Sequence, residues 1–81
     1  MSVYPNPAKA VTCIPLSAEH SFKGKLSMQN VLGQEVALIH KGEFVRGQKN
    51  FFIHANMYPK GIYFILLECE NKVFKKKMII H

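Results

Sequence analysis

The sequence is short of acidic residues and lacks the residue patterns that most enzyme sites need. Among its 81 residues there is no aspartate, and the five acidic residues are all glutamates. A Ser-His-Asp triad is therefore excluded, and Glu68 and Glu70 have no further acidic partner nearby in the sequence. No glycine-rich loop of the phosphate-binding type is present either. We therefore expect no catalytic residues, no cofactor and no enzymatic activity.

Cysteine and histidine are also too sparse for a metal site. The two cysteines, Cys13 and Cys69, lie far apart, whereas metal sites use paired, closely spaced ligands. The four histidines are isolated and show no HxxH or HExxH spacing. Two interpretations of the cysteines stay open: a disulfide between strands of an exported protein, or two buried free thiols. We expect the free thiols, and no bound metal.

Long hydrophobic runs are missing as well. Hydrophobic residues make up 48% of the chain, but no run approaches the roughly 18 consecutive apolar residues of a membrane-spanning helix. The first residues, MSVYPNP, lack the charged region and apolar stretch of a signal peptide. The length is that of one domain over residues 1–81, with a single core. We expect no transmembrane segment.

Positive charge, in contrast, is in excess, with a formal net charge of +6. Lys23 and Lys25 alternate with apolar residues, and Lys75 to Lys77 form a run near the end. Such a surplus raises nucleic acid or another anionic partner as a possibility. A solvated strand face with lysine-guarded edges explains it equally well. Because most aromatic residues sit at alternating strand positions that a core would take, we expect no nucleic-acid partner.

The hydrophobic pattern repeats every two residues almost throughout, which is the period of β-strands. Six segments show it: AVTCIPL, FKGKLSMQ, QEVALIHK, KNFFIHA, IYFILLEC and VFKKKMII. GEFVRGQ reads as a loop with room for a seventh, very short edge strand. IYFILLEC is the most apolar and is predicted to be a central strand covered on both faces. Short strands separated by turn signals predict an all-β, immunoglobulin-like β-sandwich of six or seven short antiparallel strands. Without tryptophan, it lacks the core of antibody domains.

The final segment is predicted to be a half-covered edge strand, since neither of its faces is purely apolar. Alternation places Phe74, Lys76, Met78 and Ile80 on one face. It places Lys75, Lys77 and Ile79 on the other.

Four short motifs follow one another in a fixed order. VYPNPAK stands near the start, NVLGQEV in the middle, YPKGIYFI later and KKKMII at the end. Together they resemble the type A C-terminal sorting domain of the type IX secretion system of Bacteroidetes. The resemblance spans Val3 to His81.

This resemblance implies a non-enzymatic sorting signal that directs a covalently linked N-terminal cargo across the outer membrane. The expected partners are the outer-membrane type IX translocon and a cell-surface sortase that commonly removes the domain. The expected location is the periplasm in transit, then the cell surface or the medium. Residues 1–9 are expected to be the linker and junction with the cargo. An immunoglobulin-like adhesion or carbohydrate-binding module of a secreted protein shares the fold and stays open as the alternative.

Eleven residues match the family motifs and are the expected recognition positions: Pro5, Asn6, Pro7, Gly33, Gly61, Tyr63, Lys75, Lys76, Lys77, Ile79 and Ile80. Three nearby positions depart from the family pattern, which often has Asp at Ala10 and Asn30 and Leu at Tyr58. A purely structural role also stays open for the matching residues. The glycines would then make turns, Tyr63 would fill the core, and the lysines would solubilise an edge.

Overall fold

Six antiparallel β-strands dominate the computed structural model, which describes residues 3–4 and 10–81. One turn of 3₁₀ helix, Ala55–Met57, joins the fourth strand to the fifth. The strands are β1 (Val11–Ala18), β2 (Phe22–Asn30), β3 (Glu35–Phe44), β4 (Gly47–His54), β5 (Gly61–Cys69) and β6 (Lys72–Ile80).

The strands form two sheets that enclose one core. The smaller sheet pairs β1 with β4, and the larger sheet has the order β3-β2-β5-β6. The predicted all-β, immunoglobulin-like sandwich is thus confirmed. Both sheets supply fully buried side chains: Ile14 from β1, Leu26 and Met28 from β2, Ile65 from β5 and Met78 from β6.

The region between β3 and β4 differs from the sequence prediction. GEFVRGQ was predicted to be a loop, but β3 continues to Phe44 and β4 starts at Gly47. Phe44 pairs with Phe22, and their rings stack with centroids 4.9 Å apart, which extends the ladder. The Arg46 amide then donates a hydrogen bond to the Ser21 hydroxyl. Within the described residues there are six strands and no seventh.

The central strand β5 is only partly as predicted. It pairs with β2 on one side and β6 on the other, so it is central in its sheet. Tyr63, Ile65 and Leu67 face the core, and the described residues place no second sheet against the opposite side of β5. On that side Ile62 is 42% exposed, whereas Leu66 is buried, at 8% exposed. The prediction of a strand covered on both faces therefore holds at Leu66 and fails at Ile62.

The β5–β6 hairpin follows the sequence pattern closely. Its turn residues Glu70 and Asn71 have φ values of 48° and 66°, as the two-residue turns of type I′ require. β6 has one neighbour and is an edge strand, as predicted. Met78 and Ile80 are buried, whereas Phe74 on the same face is half exposed, so that face is indeed only partly covered.

The two cysteines lie in different sheets, Cys13 in β1 and Cys69 in β5. Both are free thiols, as expected, but each is half-buried rather than buried.

Gly24 of β2 lies close to the backbone of β5, and we predict that a side chain there destabilises the fold. A Cβ atom at this position would lie 2.6 Å from the Glu68 carbonyl oxygen, a backbone atom that cannot rotate away. Gly24→Ala should therefore lower the free energy of unfolding by about 1–3 kcal/mol. Chemical denaturation measures the loss, with Lys23→Ala on the exposed face as the control. Equal stability of the two variants would contradict the close approach.

Candidate functional site

Most of the described motif residues gather at one end of the larger sheet. β2 ends at Asn30, which pairs with Tyr63 near the start of β5. Gly61 pairs with Ile80 at the end of β6. We call this region the Gly61 end; it comprises Asn30, Gly33, Gly61, Tyr63, Ile79 and Ile80. The motifs are far apart in the sequence, and antiparallel pairing brings them together.

The turn at Gly33 is held by the side chain of Asn30. Asn30 Oδ1 accepts hydrogen bonds from the amides of Leu32 and Gln34, at 2.9 and 3.1 Å. Gly33 has a φ of 80°, which favours glycine because it has no Cβ atom. Its amide donates to the Asn30 carbonyl oxygen. Asn30 thus does the turn chemistry expected of the Asp common at this position.

Gly61 and Tyr63 together fix the start of β5. Gly61 has a φ of 152°, a backbone conformation that L side chains rarely adopt. Tyr63 is 6% exposed, and its hydroxyl donates a 2.7 Å hydrogen bond to the Pro59 carbonyl oxygen. The ring therefore fills the core while its hydroxyl closes the preceding turn. Both residues therefore have clear structural roles at the start of β5.

The proline motif, Pro5, Asn6 and Pro7, lies outside the described residues, but Tyr4 before it and Ala10 after it both form backbone hydrogen bonds to the sandwich. Tyr4 pairs with Cys13 of β1 through two backbone hydrogen bonds of 3.0 and 2.7 Å. The pKa of Tyr4 is raised above its ordinary value, mainly by hydrogen bonding to Cys13. The Ala10 carbonyl oxygen accepts from the Ala55 amide at 2.9 Å. Both sides of the proline motif are therefore tied to the sandwich.

The lysine run of β6 divides between the two faces of the sheet, as the alternation predicts. Lys76 pairs with Ile65, whose side chain faces the core. Lys75 and Lys77 pair with Leu66 and Phe64 on the outer side. All three lysines are exposed. The run is therefore not one basic patch but two separate groups.

Phe64 is a candidate site residue that the sequence reasoning missed. The Lys75 ammonium lies over its ring, with Nζ 4.3 Å from the centroid, a cation–π contact. The one available signal was the period of two, which places Phe64 on the opposite side of β5 from Tyr63. Its contact with Lys75 depends on the hairpin register.

Further lysines share this outer side of the larger sheet. Lys25 on β2 forms an ion pair with Glu35 of β3. The pKa of Lys25 is raised, mainly by its hydrogen bond to Glu35, so Lys25 stays charged at neutral pH.

The described residues contain no cluster of three or more potential metal ligands. Within them, no helix is long and apolar enough to span a membrane.

Comparison with known proteins gives one match. Residues 2–81 match the family described as "Secretion system C-terminal sorting domain". No curated protein and no solved structure matches the chain.

We predict that the two residues at the start of β5 stabilise it by different means. Gly61→Ala places a side chain at an unfavourable φ without a clash and should lower the free energy of unfolding by about 1–3 kcal/mol. Tyr63→Phe keeps the ring but removes the hydrogen bond to Pro59, and should cost about 1 kcal/mol. Thermal or chemical denaturation of both variants measures these losses. Unchanged stability of Gly61→Ala would contradict the strained backbone.

Proposed function

The chain belongs to the family of type IX secretion C-terminal sorting domains, and we propose that the outer-membrane translocon recognises it from the periplasm. Membership makes the chain a sorting signal for type IX secretion. It implies an N-terminal cargo, interaction with the type IX machinery, and export to the cell surface or the medium. We also propose that the chain passes through the periplasm with its cargo and that a cell-surface sortase then removes it.

The observation that carries the proposal is the match over residues 2–81. The arrangement of the motif residues adds support. Apart from the three lysines of β6, all the motif residues that the structure describes lie at the Gly61 end. Gly33, Gly61 and Tyr63 set turns and core packing there. We propose that they act in recognition by holding this end in shape. We also propose recognition roles for the other motif residues: Pro5, Asn6, Pro7, Lys75, Lys76, Lys77, Ile79 and Ile80.

We further propose that residues 1–81 act as a single sorting domain, with residues 1–9 as the junction to the cargo. Val3 is 5% exposed and belongs to the hydrophobic core, and Tyr4 pairs with β1. The junction is thus anchored to the sandwich on its cargo side.

A sorting-signal family suggests a non-enzymatic role. The alternative of an adhesion or carbohydrate-binding module has no observation in its favour. Such a module needs an exposed aromatic platform, and of the two tyrosines outside the six strands, Tyr4 is 53% exposed. Tyr58 is half-buried and packs edge-on against Tyr63, with centroids 6.4 Å apart.

We predict that the domain carries a reporter out of the cell. A fusion of a signal peptide, a fluorescent protein and residues 1–81 should reach the surface or medium of a type IX-competent host. The same fusion should stay in the periplasm of a host without a working translocon. Fluorescence in cell fractions and medium measures the distribution. Retention equal to that of the reporter without the domain would refute the proposed function.

We predict that removing the last four residues, 78–81, unfolds the domain and abolishes export. Removing residues 78–81 strips Met78 and Ile80 from the core, where they are 0% and 5% exposed. Deleting buried side chains of this size costs about 2–5 kcal/mol each, so we expect the domain to unfold and export to fail. Circular dichroism of the purified domain checks the fold independently. A truncated domain that stays folded and is exported would contradict this role of the C-terminal end.

A further inference from the structure

We propose that the polypeptide connecting the cargo to Val3 docks on this domain as an added β-strand. It would pair with the free edge of β1 and place apolar side chains in the groove beside that edge. This inference rests on the proposed function, which supplies a cargo on the N-terminal side. We call the groove the β1 groove; its lining includes Pro15, Leu16, Ser17, Leu67, Cys69 and Phe74.

The chain direction at Tyr4 leads the connection toward this groove. Tyr4 and Cys13 form an antiparallel pair and exchange two backbone hydrogen bonds, of 3.0 and 2.7 Å. Because the pair is antiparallel, the step from Tyr4 back to Val3 runs along β1 in the direction from Cys13 to Pro15. Val3 is 5% exposed and belongs to the core. A strand continued from Val3 toward the cargo would therefore pass Pro15 and Ser17.

The edge of β1 that such a strand would pass is free. On one side β1 pairs with β4, and among the described residues Tyr4 alone bridges its other side. Cys13 bonds to Tyr4 through both its amide and its carbonyl oxygen. Alternation turns the backbone groups of Pro15 and Ser17 to the same edge. A free edge of this kind is a template for strand addition.

The groove beside this edge is open and uncharged. Its volume is about 590 Å³, and none of its lining residues carries a charge. Phe74, on the core side of β6, is 48% exposed, whereas Met78 on the same side is 0% exposed. The cover of the core therefore stops short of Phe74. A strand added beside Ser17 would continue the smaller sheet over this ring.

Strand alternation defines the side chains that the connection needs. Val3 lies in the core, so every second residue counted from Val3 toward the cargo would face the groove. Apolar side chains fit these positions. Lys76 is on the same side of β6 as Phe74, which favours acidic residues next to the apolar ones. The edge from Pro15 to Ala18 spans about 14 Å at about 3.4 Å per residue, so about four residues would cover it.

The strength of this contact suits a segment that is tethered to the domain. Pro15 has no amide hydrogen to donate, so the added pairing would be incomplete and weak between separate molecules. A segment joined to Val3 reaches an effective concentration in the millimolar range, at which weak pairing is enough. Docking would thus be reversible. The removal by a sortase proposed above would then require the connection to leave the edge first.

The test compares the purified full-length protein, with its cargo, and the separate domain of residues 1–81. Cys69 lines the groove and Cys13 lies outside it, so the two thiols serve as probe and control. With N-ethylmaleimide, we expect Cys69 to react about tenfold more slowly in the full-length protein. Cys13 should react at similar rates in both proteins. Mass spectrometry of tryptic peptides distinguishes these cysteines from any in the cargo.

Two substitutions in the full-length protein should restore fast labelling of Cys69. Phe74→Ser removes the apolar contact, whereas Val73→Ser, at a 60% exposed position on the outer side of β6, should keep the slow rate. Ser17→Pro removes the amide hydrogen on the free edge and leaves the pairing with β4 intact. Ser17→Ala keeps that amide and is its control. If Phe74→Ser does not fold, the pair at Ser17 still decides the question.

Equal labelling of Cys69 in the full-length protein and the separate domain would overturn the proposal. Slow labelling that persists in both Phe74→Ser and Ser17→Pro would also overturn it, because the cargo itself would then cover the thiol. In the separate domain, labelling that slows as the protein concentration rises would assign the groove to a second copy of the chain instead. All these measurements use purified protein. A reporter that is not exported therefore refutes the proposed function without deciding this test.

Discussion

The antiparallel register between β5 and β6 determines the position of every residue in the C-terminal strand. Because the turn consists of Glu70 and Asn71, Cys69 lies opposite Lys72 and Gly61 opposite Ile80. A shift by one residue would move Met78 and Ile80 out of the core and bring lysines into it. Burying an unpaired lysine is far more costly than leaving it in water. The core and the lysines thus enforce the same register.

This register also positions motif residues at the Gly61 end. Gly33, Gly61 and Tyr63 serve turns and packing there, and in the proposed function they act through the shape that they maintain. That shape arises from strand pairing between segments that are distant in the sequence.

The outer side of the larger sheet combines exposed lysines of β6 with apolar residues of β5. Edge strands and apolar sheet faces invite unwanted association, and lysines limit it. In β6 they also flank the apolar residues of β5. The long lysine side chains can cover apolar surface with their methylene groups while the charge stays in water. The lysines of β6 thus cover part of the apolar outer side of β5, as Lys75 does at Phe64.

Much of this protein could be predicted from sequence because the information is local. Alternation in FKGKLSMQ and VFKKKMII identified strands and their faces, and the family motifs identified the domain type. The tertiary structure decided what depends on contacts between distant segments. It extended β3 to Phe44 through stacking on Phe22, and it left Ile62 on the outer side of β5 exposed. It also placed Lys75 over Phe64. The pleat of a strand fixes which residues share a side, but only pairing and packing with other strands decide which side is buried.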